Sequence, residues 1–339
     1  MKNRILQLSL CIAFIISLSG CNIMQGKKKE AYNPINSLPI ETSVPDYMQP
    51  VEYIWNPYVL SDIYSKLYGD VFVSDYKSMI EAFLSYKETF ACSSAESADA
   101  LNYVASSSFP LLAMDVGTVQ YDETQKVGIL AYGLSEEDHM AGIEAFKEAI
   151  NWLITSSVMK SDNELTTALA LYMQYSSIVS YDYAALESDV MVDVSSYRAL
   201  TMHEGICQSF GPAYAYLCLQ MGIDAVPVGG LSIDNTAHEW TLVKLDGSYF
   251  YMDTTFENGE GGNGLKYFGM TTADRVNAGN YIEQTFNIGE CNQMWGPDIQ
   301  VNDERFSALR AVSYAALNRE LNQIDCTDTN GLAWSFPLE

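Results

Sequence analysis

The sequence predicts an α+β fold, in which a helix packs against an antiparallel sheet. An apolar stripe at helical spacing follows Cys207. Two strand patterns, 240–245 and 248–253, flank Asp246-Gly247, a dipeptide typical of tight hairpins. The upstream part of the chain mixes helix and strand patterns, so we expect a further α+β region there.

The N-terminus predicts a secretory signal peptide over residues 1–20. Two basic residues, Lys2 and Arg4, precede an apolar run, and small residues precede Cys21. A transmembrane anchor is the alternative. Residues 5–20, however, would form a helix of roughly 24 Å, which is shorter than the ~30 Å hydrocarbon core of a bilayer.

The segment from Leu18 to Cys21, Leu-Ser-Gly-Cys, resembles the lipobox of bacterial lipoproteins. The resemblance implies that Cys21 is diacylated and becomes the first residue of the mature chain. Two acyl chains give a stable anchor without a membrane span. We therefore expect a protein held by lipid on the extracytoplasmic side of the cell membrane.

Residues 21–50 are predicted to form the lipid anchor and a tether. Prolines recur through this stretch, and they resist helix formation and favour extended chain. The composition also restricts the partners. The chain has 43 acidic against 18 basic residues, a formal net charge of −25, which repels phosphate backbones and excludes nucleic acid as a partner.

Residues 51–155 are predicted to form an N-terminal α+β support domain. A helix is expected over 74–90, with Ser74 or Asp75 as its cap. Strand patterns at 116–121 and 127–132 flank a polar turn, and a helix should run from Ser135 to about 158. No residues in this region have catalytic spacing, so a supporting role is expected.

Cys207 is the candidate nucleophile of the domain predicted over 156–290. It lies at the start of a helix, where unpaired N–H groups and the positive end of the helix dipole favour a thiolate. Cys218 lies on the apolar stripe of the same helix and fits a buried, inert thiol. Pro212 is expected to kink this helix or to confine its start to the region of Gln208.

His238 and Asp253 lie on the predicted hairpin, and the chain has only three histidines. With a two-residue loop, Leu245 pairs with Ser248, and counting outward places Trp240 opposite Asp253. Because strand side chains alternate, His238 shares a face with Trp240 and becomes a diagonal neighbour of Asp253. We expect a hydrogen bond between this imidazole and carboxylate, with the Cys207 sulfur within about 4 Å of the ring.

The combination of these motifs resembles the transglutaminase-like superfamily over residues 165–270. The matching residues, in chain order, are Gly205, Cys207, Gln208, Met221-Gly222-Ile223, His238, Trp240, Tyr251, Asp253, Thr255 and Tyr267-Phe268. The resemblance implies a papain-like fold with Cys207 as nucleophile, His238 as base and Asp253 as the residue that orients the histidine. Phe256 departs from the pattern, since many members carry tryptophan there.

No cofactor or metal is predicted, because the cysteines and histidines lack ligand spacing and no Gly-rich phosphate loop is present. Cys291 and Cys326 could form a disulfide or remain free. Residues 291–339 are predicted to form a helical segment, with a helix from Glu304 to about Leu321 that packs on the body through an apolar stripe.

Three functions remain open from the sequence. The first is a surface-anchored thiol enzyme that acts on amide bonds of proteins or peptides, cell-wall peptides among them, by transamidation or hydrolysis. The second is a non-catalytic protein- or peptide-binding module that keeps the fold. The third is a structural envelope lipoprotein in which the anchor and tether matter most.

Overall fold

The computed structural model describes residues 44–188, 192–232, 236–281 and 299–338. The predicted signal peptide, Cys21 and most of the tether therefore lie outside the described residues. The helices are α1 (Asp62–Leu84), α2 (Ala95–Ser108), α3 (Glu136–Thr155), α4 (Glu164–Ile178), α5 (Tyr183–Leu186), α6 (Ser196–Met202), α7 (Cys207–Gln220), α8 (Thr254–Gly259) and α9 (Thr272–Asn277). Short 3-10 turns occur at Asp46–Met48, Pro110–Met114 and Ser307–Ala311.

The strands form small antiparallel sheets and one parallel pair. They are β1 (Thr89–Ala91), β2 (Gln120–Asp122), β3 (Val127–Ile129), β4 (Ser180–Tyr181), β5 (Glu204–Gly205), β6 (Ala225–Ser232), β7 (Ala237–Leu245), β8 (Ser248–Met252), β9 (Asn280–Tyr281), β10 (Val312–Asn318), β11 (Gln323–Asp328) and β12 (Ala333–Pro337). The sheet orders are β1-β3-β2, β10-β11-β12 and β8-β7-β6-β9, and β4 pairs with β5 in parallel.

The N-terminal region has the predicted mixture of helices and strands. Helix α1 begins well before 74, because the Ser61 hydroxyl accepts the Ile63 N–H at 3.1 Å and caps it. The expected caps at Ser74 and Asp75 are therefore wrong, and Asp75 is buried inside the helix. The two predicted strands are present as β2 and β3, and Ser135 caps α3 as expected.

Helix α7 packs directly on the central sheet, mainly on β7. The Thr241 hydroxyl donates to the Gly211 carbonyl at 2.9 Å, which ties the helix backbone to the strand. Pro212 lies inside α7, yet the helix starts at Cys207 and ends at Gln220. The start of the helix lies one residue from Gln208, in the region that the expectation for Pro212 named. Because Pro212 has no backbone N–H, the carbonyl of Gln208, an exposed residue, lacks the helical hydrogen bond that it would otherwise accept.

The hairpin of β7 and β8 has the predicted register, with pairs from Leu245↔Ser248 outward to Thr241↔Met252. Asp246 and Gly247 have φ of 48° and 83°, as a two-residue type I′ turn requires. This register carries the chain to Asp253 immediately after the last paired residue. The predicted α+β core, a helix that begins at the cysteine and packs on an antiparallel sheet, is confirmed.

The C-terminal segment is not helical, and the predicted helix from Glu304 to Leu321 is wrong. After a short 3-10 turn, β10, β11 and β12 form a three-stranded antiparallel sheet. Along β10 the side chains of Val312 and Ala315 are buried, as the apolar pattern demands, but a bulge between Val312 and Tyr314 shifts the register. Residues 312–318 therefore form a strand paired with β11, although their apolar spacing is also compatible with a helix.

The described chain from Val44 onward forms one compact unit. The last residues of the predicted tether belong to it, since the Val51 N–H donates to the Val158 carbonyl at 3.0 Å and the Lys160 N–H donates to that of Gln49 at 2.9 Å. Within the described residues, no helix has the length and apolar character needed to cross a membrane.

Candidate active site

Cys207 is the first residue of α7, and the chain reaches it through the parallel pair of β4 and β5. In that pair Tyr181 lies opposite Gly205, two residues before the cysteine. The Ser209 hydroxyl accepts the Ile206 N–H at 3.2 Å and closes the first turn. A Cβ on Gly205 would lie 2.6 Å from the Cβ of Ser209, so only glycine fits before this turn.

His238 and Asp253 form the hydrogen bond that the hairpin register predicts. Nε2 of His238 lies 2.7 Å from Oδ2 of Asp253, and the two side chains are 9% and 0% exposed. Asp253 also caps α8, because its Oδ1 accepts the Phe256 N–H at 2.9 Å. The backbone N–H of Asp253 donates to the Tyr267 carbonyl at 3.0 Å, so the backbone and the side chain of Asp253 are each held by a hydrogen bond.

The environment of His238 favours its charged form. Burial lowers the pKa of the ring, but the negative charge of Asp253, its hydrogen bond and a hydrogen-bonding interaction with Cys207 outweigh burial and raise the pKa to about 9. For Asp253 burial has the opposite effect and raises the pKa. The positive charges of His238 and Arg275 outweigh burial and lower the pKa of Asp253 to about 2. The couple is therefore imidazolium and carboxylate near neutral pH.

Arg275 on α9 is a residue of this site that sequence analysis did not find. Its Nη1 lies 2.7 Å from Oδ2 of Asp253, and both side chains are fully buried. The same carboxylate oxygen therefore contacts His238 and Arg275. No motif in the sequence pointed to Arg275, because it lies in a short helix 22 residues beyond Asp253.

Aromatic rings enclose the imidazole. The Phe256 ring stacks on His238 with centroids 4.3 Å apart and planes 15° apart, and Trp240 lies at 5.8 Å and 29°. Trp240 is buried beside the hydrogen bond to Asp253, where its ring excludes water. Phe256, the departure from the family pattern, thus covers one face of the ring.

Cys207 and His238 line the same cleft, of about 640 Å³. Its walls are largely aromatic, with Tyr181, Phe256 and Tyr267 among the lining side chains. Burial, and next the electrostatic effect of Cys207, raise the pKa of Tyr181 to about 12, and a backbone hydrogen-bonding interaction with Cys207 opposes this. Tyr181 thus lines the cleft together with Cys207, the first residue of α7. The predicted 4 Å contact between the sulfur and the imidazole stays a prediction.

The other described cysteines and histidines lie elsewhere. Cys218 is fully buried on the apolar side of α7, and burial raises the pKa of its thiol to about 12. His139 is buried in the N-terminal region, and His203 lies at the end of α6. Cys326 is free, while Cys291 lies outside the described residues, so their pairing stays untested. The described residues hold no cluster of metal-ligating side chains.

The geometry gives the chain order and layout that the sequence predicts: a cysteine at a helix start, then a histidine and an aspartate on one antiparallel hairpin. Several solved structures are similar to parts of the chain. One is a transglutaminase with 18% identity and a TM-score of 0.29, where the match covers 36% of this chain and 34% of that one.

The second is a protein from Cytophaga hutchinsonii that is provisionally assigned as a cysteine protease. It is 17% identical over 33% of this chain and 37% of that one, with a TM-score of 0.26. The chain thus spans about a third of the length of either structure. No protein-family model matches the sequence, and no curated protein matches it.

Proposed function

We propose that this protein is a cysteine-dependent enzyme that acts on amide bonds of proteins or peptides through a thioester acyl-enzyme. The observation that carries the proposal is the 2.7 Å contact of His238 with Asp253 in the cleft that also contains Cys207. Because Nε2 faces the carboxylate, Nδ1 is the ring nitrogen left for the thiol. This arrangement supports a nucleophile, a base and an orienting carboxylate.

The chemistry follows from these three groups. The Cys207 sulfur attacks the carbonyl carbon of an amide, and His238 gives its proton to the nitrogen of the departing amine. The carbon–nitrogen bond breaks and a thioester remains on Cys207. A second amine or a water then attacks the thioester while His238 removes a proton, and the thiolate leaves. Transamidation and hydrolysis therefore share the same acyl-enzyme.

The tetrahedral intermediate needs donors aimed at its oxyanion. The backbone N–H of Cys207 is one, at the positive end of α7. We assign the Tyr181 hydroxyl as the second, because it lies against the same backbone and its raised pKa keeps the proton in place. Movement of the phenol away from the Cys207 N–H would open room for the oxyanion between the two donors.

The proposal includes surface anchoring. The lipobox-like segment ending at Cys21 supports export and double acylation, which would place the cleft on the extracytoplasmic side of the cell membrane. Protein substrates, including cell-wall peptides, are the accessible amides there. Cleavage before Cys21 and a lipid mass on the new N-terminus are the expected result. A Cys21→Ala protein that kept the same lipid mass would contradict it.

The test is intact-mass detection of an acyl-enzyme across a library of glutamine-containing and cell-wall peptides. The parent and Cys218→Ala proteins should gain the mass of the acyl group, and Cys207→Ala should gain nothing. Slow alkylation of Cys207 near neutral pH, with no acyl mass from any peptide and unchanged peptide binding in Cys207→Ala, would instead support the non-catalytic binding module. Acylation of Cys207→Ala would contradict the assignment of the nucleophile.

A further inference from the structure

Arg275 is the least expected feature of the site, because a full positive charge is buried behind the histidine–aspartate pair. Its side chain is 0% exposed, and Nη1 contacts Oδ2 of Asp253 at 2.7 Å. Burying a guanidinium costs several kcal/mol unless it is well paired. An apolar side chain could fill the same space without this desolvation free energy. We therefore expect the positive charge of Arg275 itself to have a function.

The guanidinium is held in place by an aromatic face as well as by the carboxylate. Its carbon lies 4.1 Å from the centroid of Trp240 and 5.4 Å from that of Phe256. Among the described residues, its Nε and Nη2 have no hydrogen-bond partner, and Asp253 is its one ion-pair partner. These are the same two rings that enclose His238, which joins the arginine, the carboxylate and the imidazole into one layer.

We propose that Arg275 is a positioning residue for the triad: it clamps the Asp253 carboxylate and takes part of its negative charge, which leaves His238 able to release its proton to the leaving group. The inference rests on the proposed function. Without Arg275, the whole charge of Asp253 would act on His238 through a 2.7 Å contact in a buried site. The imidazolium would then be too stable to serve as a good general acid.

The charged and titratable groups around this layer are few. Cys207, Asp253 and Arg275 act on the His238 ring, and Asp253 and Arg275 have opposite effects on its pKa. Glu257 lies one turn beyond Asp253 on α8, the Tyr172 hydroxyl of α4 donates to the Asp253 carbonyl at 3.1 Å, and Tyr267 lies nearby. Arg275 also acts on Tyr251 of β8, and Arg310 acts on Glu257. Burial raises the pKa of both Glu257 and Tyr172, so neither of these neighbours replaces the cation.

The experiment compares Arg275→Gln with Arg275→Lys in the full chain, labelled with 13C-histidine. The chain has three histidines, and a His238→Gln spectrum identifies the signal of interest. In Arg275→Gln the pKa of His238 should rise by roughly one unit because an opposing charge is gone. Turnover at neutral pH should fall roughly tenfold, while alkylation of Cys207 should be equal to or faster than in the parent. Arg275→Lys should restore most of the parent pKa.

A purely structural role predicts a different pattern. Loosening of the site would lower the pKa of His238 toward that of a free imidazole and slow alkylation and turnover together, and that result in Arg275→Gln would overturn the proposal. An unchanged pKa would overturn it as well. If Arg275→Gln does not fold, Trp240→Phe replaces it, because this variant weakens the hold on the guanidinium and should raise the pKa of His238 by a smaller amount. An unchanged pKa of His238 in Trp240→Phe would contradict the proposal. Since the pKa and alkylation readouts need no substrate, failure of the enzyme hypothesis would leave this test intact.

Discussion

Among the described residues, two histidine–aspartate pairs have nearly equal lengths and differ in the surroundings of the second ring nitrogen. His238 lies 2.7 Å from Asp253, and His139 lies 2.6 Å from Asp115 in the N-terminal region. The other nitrogen of His139, Nε2, contacts the Phe83 carbonyl at 2.9 Å. His238 instead lines the cleft that also contains Cys207, and an interaction with the Cys207 thiol contributes to its raised pKa.

The difference shows that the length of such a contact does not decide whether a histidine can do chemistry. Both imidazoles are enclosed by aromatic rings, and both aspartates accept backbone N–H groups, from Gly133 and Leu134 in the case of Asp115. His139, however, has acceptors on both nitrogens and no exposed surface. It fastens α3 to the end of α1, whereas the proposed function requires His238 to keep one nitrogen for the thiol.

The largest expected effect is on catalysis. His238→Ala should lower turnover of an amide substrate by roughly 10²–10⁴-fold, because the general base and acid is gone. The measurement is kcat at neutral pH, together with the thermal midpoint. The matched control is His139→Ala, whose kcat per folded molecule should equal that of the parent. Equal losses of kcat in both variants would erase the distinction between the pairs.

The reverse comparison concerns stability. His139→Ala should lower the free energy of unfolding by about 3 kcal/mol, since a buried carboxylate loses its partner and a cavity forms. The two backbone donors to Asp115 keep the loss near the lower end of the range for such pairs. Denaturant unfolding of His139→Ala and His139→Gln should give a smaller loss for glutamine, which can still donate. A loss within 0.5 kcal/mol for alanine, roughly that of an ordinary surface substitution, would argue against a fastening role.

The pH dependence sharpens the same comparison. Because the pKa of His238 in the folded protein is raised from 6.5 to about 9, the charged ring persists through neutral pH. The stabilisation from its pair with Asp253 is full below about pH 6.5 and is lost as the pH rises toward 9. We expect kcat/KM and the alkylation rate of Cys207 relative to a free thiol to change over that window. A titration centred near 6.5 would contradict the raised pKa.

The smallest expected effect concerns the ring that covers the imidazole. Phe256→Leu removes the stack on His238, an aromatic contact of about 0.5–1.5 kcal/mol. A decrease in kcat of roughly 2–10-fold should follow, with little change in the unfolding midpoint. Phe256→Trp, the residue common in the family, should retain most of the rate. A rate unaffected by leucine would mean that Trp240 alone orients the ring.

The hairpin and the contact between His238 and Asp253 could be predicted because local chemistry determines them. The Asp246-Gly247 turn sets the register, and alternation along the strands then fixes which side chains share a face. The start of α7 at Cys207 was likewise apparent from the apolar stripe. These inferences needed only spacing along the chain.

Two features could not be found in this way. Arg275 reaches Asp253 only because the fold brings a short helix behind the hairpin, and an arginine in a polar stretch gives no signal of burial. The segment 304–321 has an apolar spacing compatible with a helix, but a short 3-10 turn and then the pairing of β10 with β11 make most of it turn and strand. In both cases contacts between residues far apart in the chain determine the structure, and the local sequence pattern does not reveal those contacts.

Helix α7 also sets the distance between Cys207 and the segment around Tyr53. At its C-terminal end, Gln220 accepts the Tyr53 hydroxyl at 2.6 Å and exchanges hydrogen bonds with the backbone of Asn56 at 2.7 and 3.1 Å. The helix is 14 residues long, about 21 Å, with Cys207 at its other end. A pull on the chain upstream of Gln49 would therefore act first on its contacts with residues 158–160 and then on this end of α7, one helix length from Cys207.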